Sequence, residues 1–198
     1  MTTIVYLVRH GEVHNPKQIL YGRLPKFGLS EKGKSQIQKT AEFLSDKNIR
    51  TIYSSPLLRT RQTAGIIQKK LKISKINILS GLIEVKTSLQ GKSLDKLDLI
   101  NLDYYSPPTW EKNDDTMEQI AMRMDKSIRI LFKKHKNHSI VAVTHGDPIM
   151  ILKVLLHKLP MEIVSIRKGL YVTHGEVIRL QQVNEGELEI ESIFIPKL

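Results

Sequence analysis

The sequence predicts an α/β fold, a three-layer α/β/α sandwich built on a mainly parallel central sheet. Three observations predict it. Strand-like and helix-like segments alternate for most of the length, as they do when parallel strands are joined by crossover helices. The runs at residues 3–8 and 139–144 are continuous and β-rich, the pattern of strands covered on both faces. Helix-start signals follow directly on strand ends. The chain has 198 residues, 40% of them hydrophobic and 26% charged, which suffices for a substantial core and predicts a single domain over residues 1–198. No internal repeat of fixed period and no low-complexity linker interrupts it.

In chain order, the first strand ends at Arg9-His10-Gly11. Pro16, Gly22, Pro25 and Gly28 mark residues 15–29 as a loop, after which Ser30 caps a helix reaching about Asp46, with Ile37, Ala41 and Leu44 at helical spacing. Residues 51–53 form a short strand. Ser55 as cap and Pro56 as first helical residue then start a helix to about Leu71, with Arg59 in its first turn. A strand at 76–79 leads to Gly81-Leu82-Ile83-Glu84, and the segment to about Asp114 is irregular apart from a short helix at 93–102. Residues 116–133 carry Met117, Ile120, Met124, Ile128 and Leu131 on one helical face. The buried strand at 139–144 runs into His145-Gly146, and Asp147-Pro148 repeats the cap-then-proline signal for a helix to about His157. Residues 171–183 and 187–195 read as a closing hairpin that turns at Asn184-Glu185-Gly186.

Composition narrows the function classes. Without cysteine there are no disulfides and no thiolate chemistry, which fits a reducing interior. The first residues carry no basic leader, and their apolar run is too short for an export signal or a membrane span, so a cytoplasmic protein with no membrane partner is expected. Lys and Arg number 31 against 20 Asp and Glu, a net charge of +11 that attracts anions. Only 6% of residues are aromatic, and none interleave with basic residues as a stacking platform would require, so nucleic acid is not the expected partner. The charge reads instead as a solvated basic surface on a protein that handles small anions.

Ligands of an open α/β sheet bind beyond the carboxyl ends of its strands. Those ends deliver Arg9 and His10, then the helix carrying Arg59, then His145 with another helix N-terminus. Guanidinium forks and free helix-terminal amides both suit phosphate oxygens, so a small phosphorylated substrate is the expected partner. A neutral histidine among arginines can attack phosphorus, and Glu84 is the natural acid for the leaving oxygen.

Four blocks then carry a resemblance: Leu7-Val8-Arg9-His10-Gly11-Glu12, the stretch from Ser54 to Ala64 containing Arg59, Leu82-Ile83-Glu84, and Val143-Thr144-His145-Gly146. In this order and spacing they resemble the histidine phosphatase superfamily, the phosphoglycerate mutase-like group, over roughly residues 3–180. The resemblance implies a phosphoglycerate mutase-like fold, His10 as the phosphorylated nucleophile, Arg9, Arg59 and His145 as ligands of the transferring phosphoryl group, and Glu84 as proton donor. It implies no metal and no cofactor. It also places Asn15, Gly22, Arg23 and Gly146 beside the substrate. Two departures stand out. Asn15 falls one position earlier than in members with a longer spacing after Arg-His-Gly, and Val85 to Gly91 replace an aromatic-Glu-Gly block.

Other polar residues are read as bland. His135, His138 and His157 are surface or packing residues, His14 is a loop residue near the pocket, and His174 is structural because no helix start follows Val172-Thr173-His174-Gly175. Arg61 points away from the face of Arg59, Arg123 is a helix residue outside the site, and Glu12 is a loop or hydrogen-bonding support. A zinc site made from His10, His14, His145 and Glu84 is disfavoured by the adjacent guanidinium groups. The expected function is a metal-independent phosphomonoesterase of the histidine acid phosphatase type. A cofactor-dependent phosphoglycerate mutase is the first alternative, disfavoured because 198 residues leave little room for shielding insertions. A non-catalytic phospho-ligand binder is the second, disfavoured because simple anion binding needs neither a nucleophile nor an acid.

Overall fold

The computed structural model describes residues 2–98, 103–167, 169–184 and 186–197. Six strands form one sheet in the order β3-β2-β4-β1-β5-β6. They are β1 (Ile4–Arg9), β2 (Ile49–Ser54), β3 (Ile76–Ile78), β4 (Ser139–Thr144), β5 (Val177–Asn184) and β6 (Glu187–Phe194). The first four lie parallel; β5 runs antiparallel to β1, and β6 antiparallel to β5. The helices are α1 (Glu31–Phe43), α2 (Leu58–Leu71), α3 (Leu94–Asp98), α4 (Met117–Lys134), α5 (Gly146–Leu156) and α6 (Ile163–Arg167). The mainly parallel three-layer architecture expected from the sequence is the one observed.

Period-two alternation divides the core. Val5, Leu7, Ile140 and Ala142 face one side, where they pack with Met124 and Ile128 of α4 and Ile149 and Leu152 of α5. Tyr6, Val8, Val141 and Val143 face the other, against Ile37 and Ala41 of α1 and Ala64 and Ile67 of α2. Register then fixes the site. Arg9 pairs with Thr144 and Ser54 with Val143, so β1, β2 and β4 end at one level. The His10 N–H donates to the Thr144 carbonyl at 3.1 Å, and the Ser55 N–H to the Val143 carbonyl at 3.0 Å, which carries the alignment one residue past each strand.

Several boundaries differ from expectation. Ser30 caps α1 as anticipated, and Thr116 closes a full capping box on α4 with Gln119. By contrast, α2 starts at Leu58 after an extended Leu57, not at Pro56, because the Ser55 side chain bonds to His145 instead of capping a helix. His145 itself is the N-cap of α5, so Asp147 lies inside the first turn and not at the cap. Helix α1 ends at Phe43 and continues as a 3-10 turn, Leu44–Asp46. A second such turn, Ser80–Leu82, separates β3 from Glu84. Helix α6 has no counterpart in the sequence reading, and the expected strand at 171–183 starts only at Val177, since the Val172 carbonyl accepts from the Arg9 side chain and the Gly175 N–H donates to the Arg9 carbonyl. Residues 99–102 of the expected short helix and Glu185 of the hairpin turn lie outside the described residues. Among the described residues, no helix is long and apolar enough to cross a membrane.

Candidate active site

His10 stands at the end of β1 with 1% of its surface exposed. Its Nδ1 lies 2.8 Å from the Gly11 carbonyl, which can only accept, so Nδ1 carries the proton and Nε2 keeps its lone pair. Arg59 Nε donates to that Nε2 at 3.1 Å, the polarity this tautomer requires. Burial, then Arg59 and Arg9, push the imidazole well below its ordinary range, so it is neutral near pH 7. The turn after it packs backbone to backbone: a Cβ on Gly11 would collide with the Gly33 carbonyl and one on Gly33 with the Glu12 carbonyl. Glu12 accepts from the Ser30 hydroxyl at 2.8 Å and pairs with Lys32 at 2.9 Å, so it braces this contact with α1.

Arg59, buried in the first turn of α2, donates to the Gly22 carbonyl at 2.8 Å, lies 3.6 Å from Glu84 and stacks 4.8 Å from the Tyr21 ring centroid. Arg61 is exposed, as its place two residues further along the helix implies. Arg9 donates through one terminal nitrogen to the Val172 carbonyl at 2.5 Å, while its buried Nε has no partner. His145 is fully buried, its Nε2 2.8 Å from Ser55 Oγ and its ring 5.2 Å from that of His10. A Ser55 hydroxyl donating to Nε2 leaves the proton on Nδ1, which has no hydrogen-bond partner and lies 3.5 Å from Glu84 Oε2. Burial, and then Arg59, hold this ring well below its ordinary range too.

Glu84 arrives from a pinned turn. Thr144 Oγ1 donates to the Leu82 carbonyl at 2.7 Å, and the Glu84 carbonyl accepts from Arg23 at 2.8 Å and Arg123 at 3.2 Å. Its carboxyl, 12% exposed, accepts from the Val85 N–H at 3.0 Å. Burial raises its pKa, Arg59 opposes that, and the negative charge of Asp147 reinforces it. Its surroundings thus favour the protonated carboxyl more than water does.

His10, Arg9, Arg59, His145 and Glu84 therefore meet in one pocket. The remaining expected residues divide. Gly22 serves through its carbonyl, Gly146 opens α5 with no room for a Cβ beneath the Tyr171 hydroxyl, and Arg23 pairs with Asp115 at 2.6 Å. The Asn15 amide bonds to both the N–H and the carbonyl of Ile19, which closes its own loop. His14 is exposed.

Three features escaped the sequence. Ser55 orients His145. His174, read as structural, has its ring 5.7 Å from that of His10, a buried Nε2 with no partner and a pKa pushed down to about 3 by burial and Arg9. Asp147, read as a cap, accepts from the hydroxyls of Tyr104, Tyr105 and Tyr171 and from Arg167 at 2.9 Å. Burial would raise its pKa, but Arg167 and the three phenols hold it below the ordinary carboxylate value. Tyr171 also lies between Arg9 and Arg167, at 5.3 and 5.1 Å. Only contacts far apart in sequence reveal this cluster.

Ligand atoms of His10, Glu84 and His145 lie within 4.8 Å of one another, a spacing a metal ion could use. The Arg59 guanidinium touches both His10 Nε2 and Glu84, and a cation placed there would meet that charge at contact distance. The geometry suits an anion.

The chain is similar to known proteins. The family model of the histidine phosphatase superfamily (branch 1) matches residues 5–167. An uncharacterized protein of Mycobacterium tuberculosis is 33% identical over 162 residues, 78% of each chain. The uncharacterized phosphatase PhoE of Bacillus subtilis is 27% identical over 151 residues, 76% of this chain and 75% of its own. The solved structure of Bacillus stearothermophilus YhfR superposes with a TM-score of 0.84 at 22% identity, covering 96% of both chains.

Proposed function

The chain belongs to the histidine phosphatase superfamily, and from that premise we propose that it is a metal-independent phosphomonoesterase working through a phosphohistidine on His10. The observation that carries the reading is a neutral, buried imidazole whose unprotonated Nε2 faces Arg59, with His145 and a carboxyl whose pKa burial raises alongside. Superfamily membership supports phosphatase or mutase chemistry, and likeness to PhoE favours the former.

His10 Nε2 attacks phosphorus in line as the bond to the leaving oxygen breaks, and the Glu84 proton passes to that oxygen. Arg9, Arg59 and the Nδ1–H of His145 bind the phosphoryl oxygens, on which charge is spread in the transition state. Water then attacks the phosphohistidine, Glu84 takes its proton, and the P–N bond breaks to release phosphate and restore His10.

The test is hydrolysis of an aryl phosphate with excess chelator present, by wild type and by His10→Ala, with acid-labile phosphate on the protein followed by mass spectrometry. Turnover and a labile phosphoryl adduct in wild type alone are expected. Activity that appears only on adding metal, or that survives in His10→Ala, sinks the mechanism. Phosphoryl return to a second hydroxyl, dependent on a bisphosphoglycerate primer, would mark a mutase.

A further inference from the structure

Charge around the site is distributed unevenly on the two sides of Glu84. On the phosphate side, positive and polar donors outnumber acceptors. Arg9 Nε and His145 Nδ1 are buried without a hydrogen-bond partner, and Arg59 bonds to a neutral imidazole and a carbonyl, with the Glu84 carboxyl itself 3.6 Å away. On the other side every arginine faces a carboxylate. Arg23 meets Asp115 at 2.6 Å, Arg123 meets Asp115 at 3.6 Å, and Arg167 meets Asp147 at 2.9 Å. Their other hydrogens are directed to main chain as well, Arg23 Nε to the Glu84 carbonyl and Arg123 to the carbonyls of Gly81 and Glu84. Asp114, buried nearby, accepts from Ser88 and the Glu111 N–H and has no cationic partner among the described residues. Three arginines thus stand against three aspartates.

This wall is electrically cancelled, and what it offers besides is aromatic: Tyr21, stacked on Phe27 at 5.2 Å and lying over Arg59. Lys86 and Lys92 are exposed at its rim, where they concentrate anions by long-range attraction without a fixed geometry. A second anionic group on the substrate, placed next to the leaving oxygen, would be desolvated beside carboxylates with no free counter-charge.

Resting on the phosphatase reading, we propose that the leaving group is an uncharged alcohol, so that the substrates are monoesters whose only anionic group is the phosphate. Neither a bisphosphate nor a phosphorylated hydroxy acid fits this wall. Asp115 is the residue that sets the preference, because it holds two guanidinium groups that would otherwise greet an anion.

Glycerol 3-phosphate and 3-phosphoglycerate differ only in a hydroxymethyl group against a carboxylate, which makes them the matched pair for the test. Wild type is expected to favour the glycerol ester by about 100-fold in kcat/KM, the order of effect that leaving a polar group of the ligand unsatisfied on burial has. Asp115→Asn, which frees Arg23 and Arg123, should narrow that gap at least about tenfold. Equal rates, or preference for 3-phosphoglycerate, overturn the proposal, as does an unchanged gap in Asp115→Asn. Calorimetric binding of both esters to His10→Ala separates this outcome from failure of the phosphatase reading. It needs no turnover: tighter binding of the glycerol ester upholds the neutral wall even if no ester is hydrolysed, and indistinguishable affinities overturn it.

Discussion

The strand-end half of the site and the half that gathers Arg23, Arg123 and Arg167 use arginine for opposite ends. At the strand ends Arg9 is held by a carbonyl, and Arg59 by a carbonyl and a neutral ring with Glu84, the proposed proton donor, 3.6 Å away, so their charge remains for a ligand once Glu84 holds its proton. Across the pocket Arg23, Arg123 and Arg167 have carboxylates within 4 Å, and they fasten loops. The difference teaches that an arginine's function is decided by its nearest acceptor. Arg9 Nε and His145 Nδ1, buried without a hydrogen-bond partner, mark a place that an anion suits.

The sharpest break between the halves should come from His10→Ala, which removes the nucleophile and is expected to abolish turnover while leaving the fold intact by circular dichroism. Next in size, Glu84→Gln should slow alkyl esters by about 10²- to 10⁴-fold, with little effect on activated aryl phosphates whose leaving group needs no proton. A rate independent of leaving-group pKa in that variant would remove Glu84 from its role. Wild-type kcat/KM should fall as pH rises through the elevated Glu84 pKa, and this limb should vanish in Glu84→Gln.

Arg59→Ala and Asp147→Asn test the comparison directly. The first should cost about 3 kcal/mol in transition-state binding, near 10²-fold in kcat/KM, by analogy with other preorganised donors. The second replaces a buried carboxylate that accepts from Arg167 and three phenols, so its main loss should be in stability, about 3 kcal/mol by urea unfolding. Without the negative charge of Asp147, Glu84 should also release its proton more easily, moving the alkaline limb of activity to lower pH. An Asp147→Asn protein as stable as wild type, with an unmoved pH profile, would show that the tyrosine cluster supports neither the fold nor the acid.

What the sequence revealed follows the same division. Strands β1 and β4, the Ser30 cap of α1 and the placement of His10, Arg59 and His145 were legible because each depends on residues close together in the chain or on strand ends in parallel register. Ser55 and Asp147 were misread because a serine or aspartate before proline satisfies a local helix-start rule, whereas here each side chain is claimed by a partner far away in sequence: His145 for Ser55, and Tyr104, Tyr105, Tyr171 and Arg167 for Asp147. His174 carried no local signal at all, because its nearness to His10 comes from the turn that bonds Gly175 to Arg9.

Buried neutral histidines should leave a smaller mark on stability. His10 and His145 have native pKa values well below the 6.5 of the unfolded chain, so below pH 6.5 the unfolded state binds protons that the native state refuses. Their contribution is complete above pH 6.5 and is lost as pH falls toward the native values, at about 1.4 kcal/mol per pH unit for each. His174 acts in the same direction, with its native pKa pushed down to about 3. Glu84 acts in the opposite one: its raised pKa favours the native state at low pH, and that share is lost as pH rises through it. Since the histidines outnumber the carboxyl, urea unfolding at pH 7, 6 and 5 should show stability declining on the acid side. His145→Gln, which removes one titrating ring, should flatten that decline by about one histidine's slope. A decline unchanged in His145→Gln would mean that this imidazole takes up a proton inside the folded pocket, and the phosphate side would then carry a further positive charge that its orphan Nδ1 does not reveal.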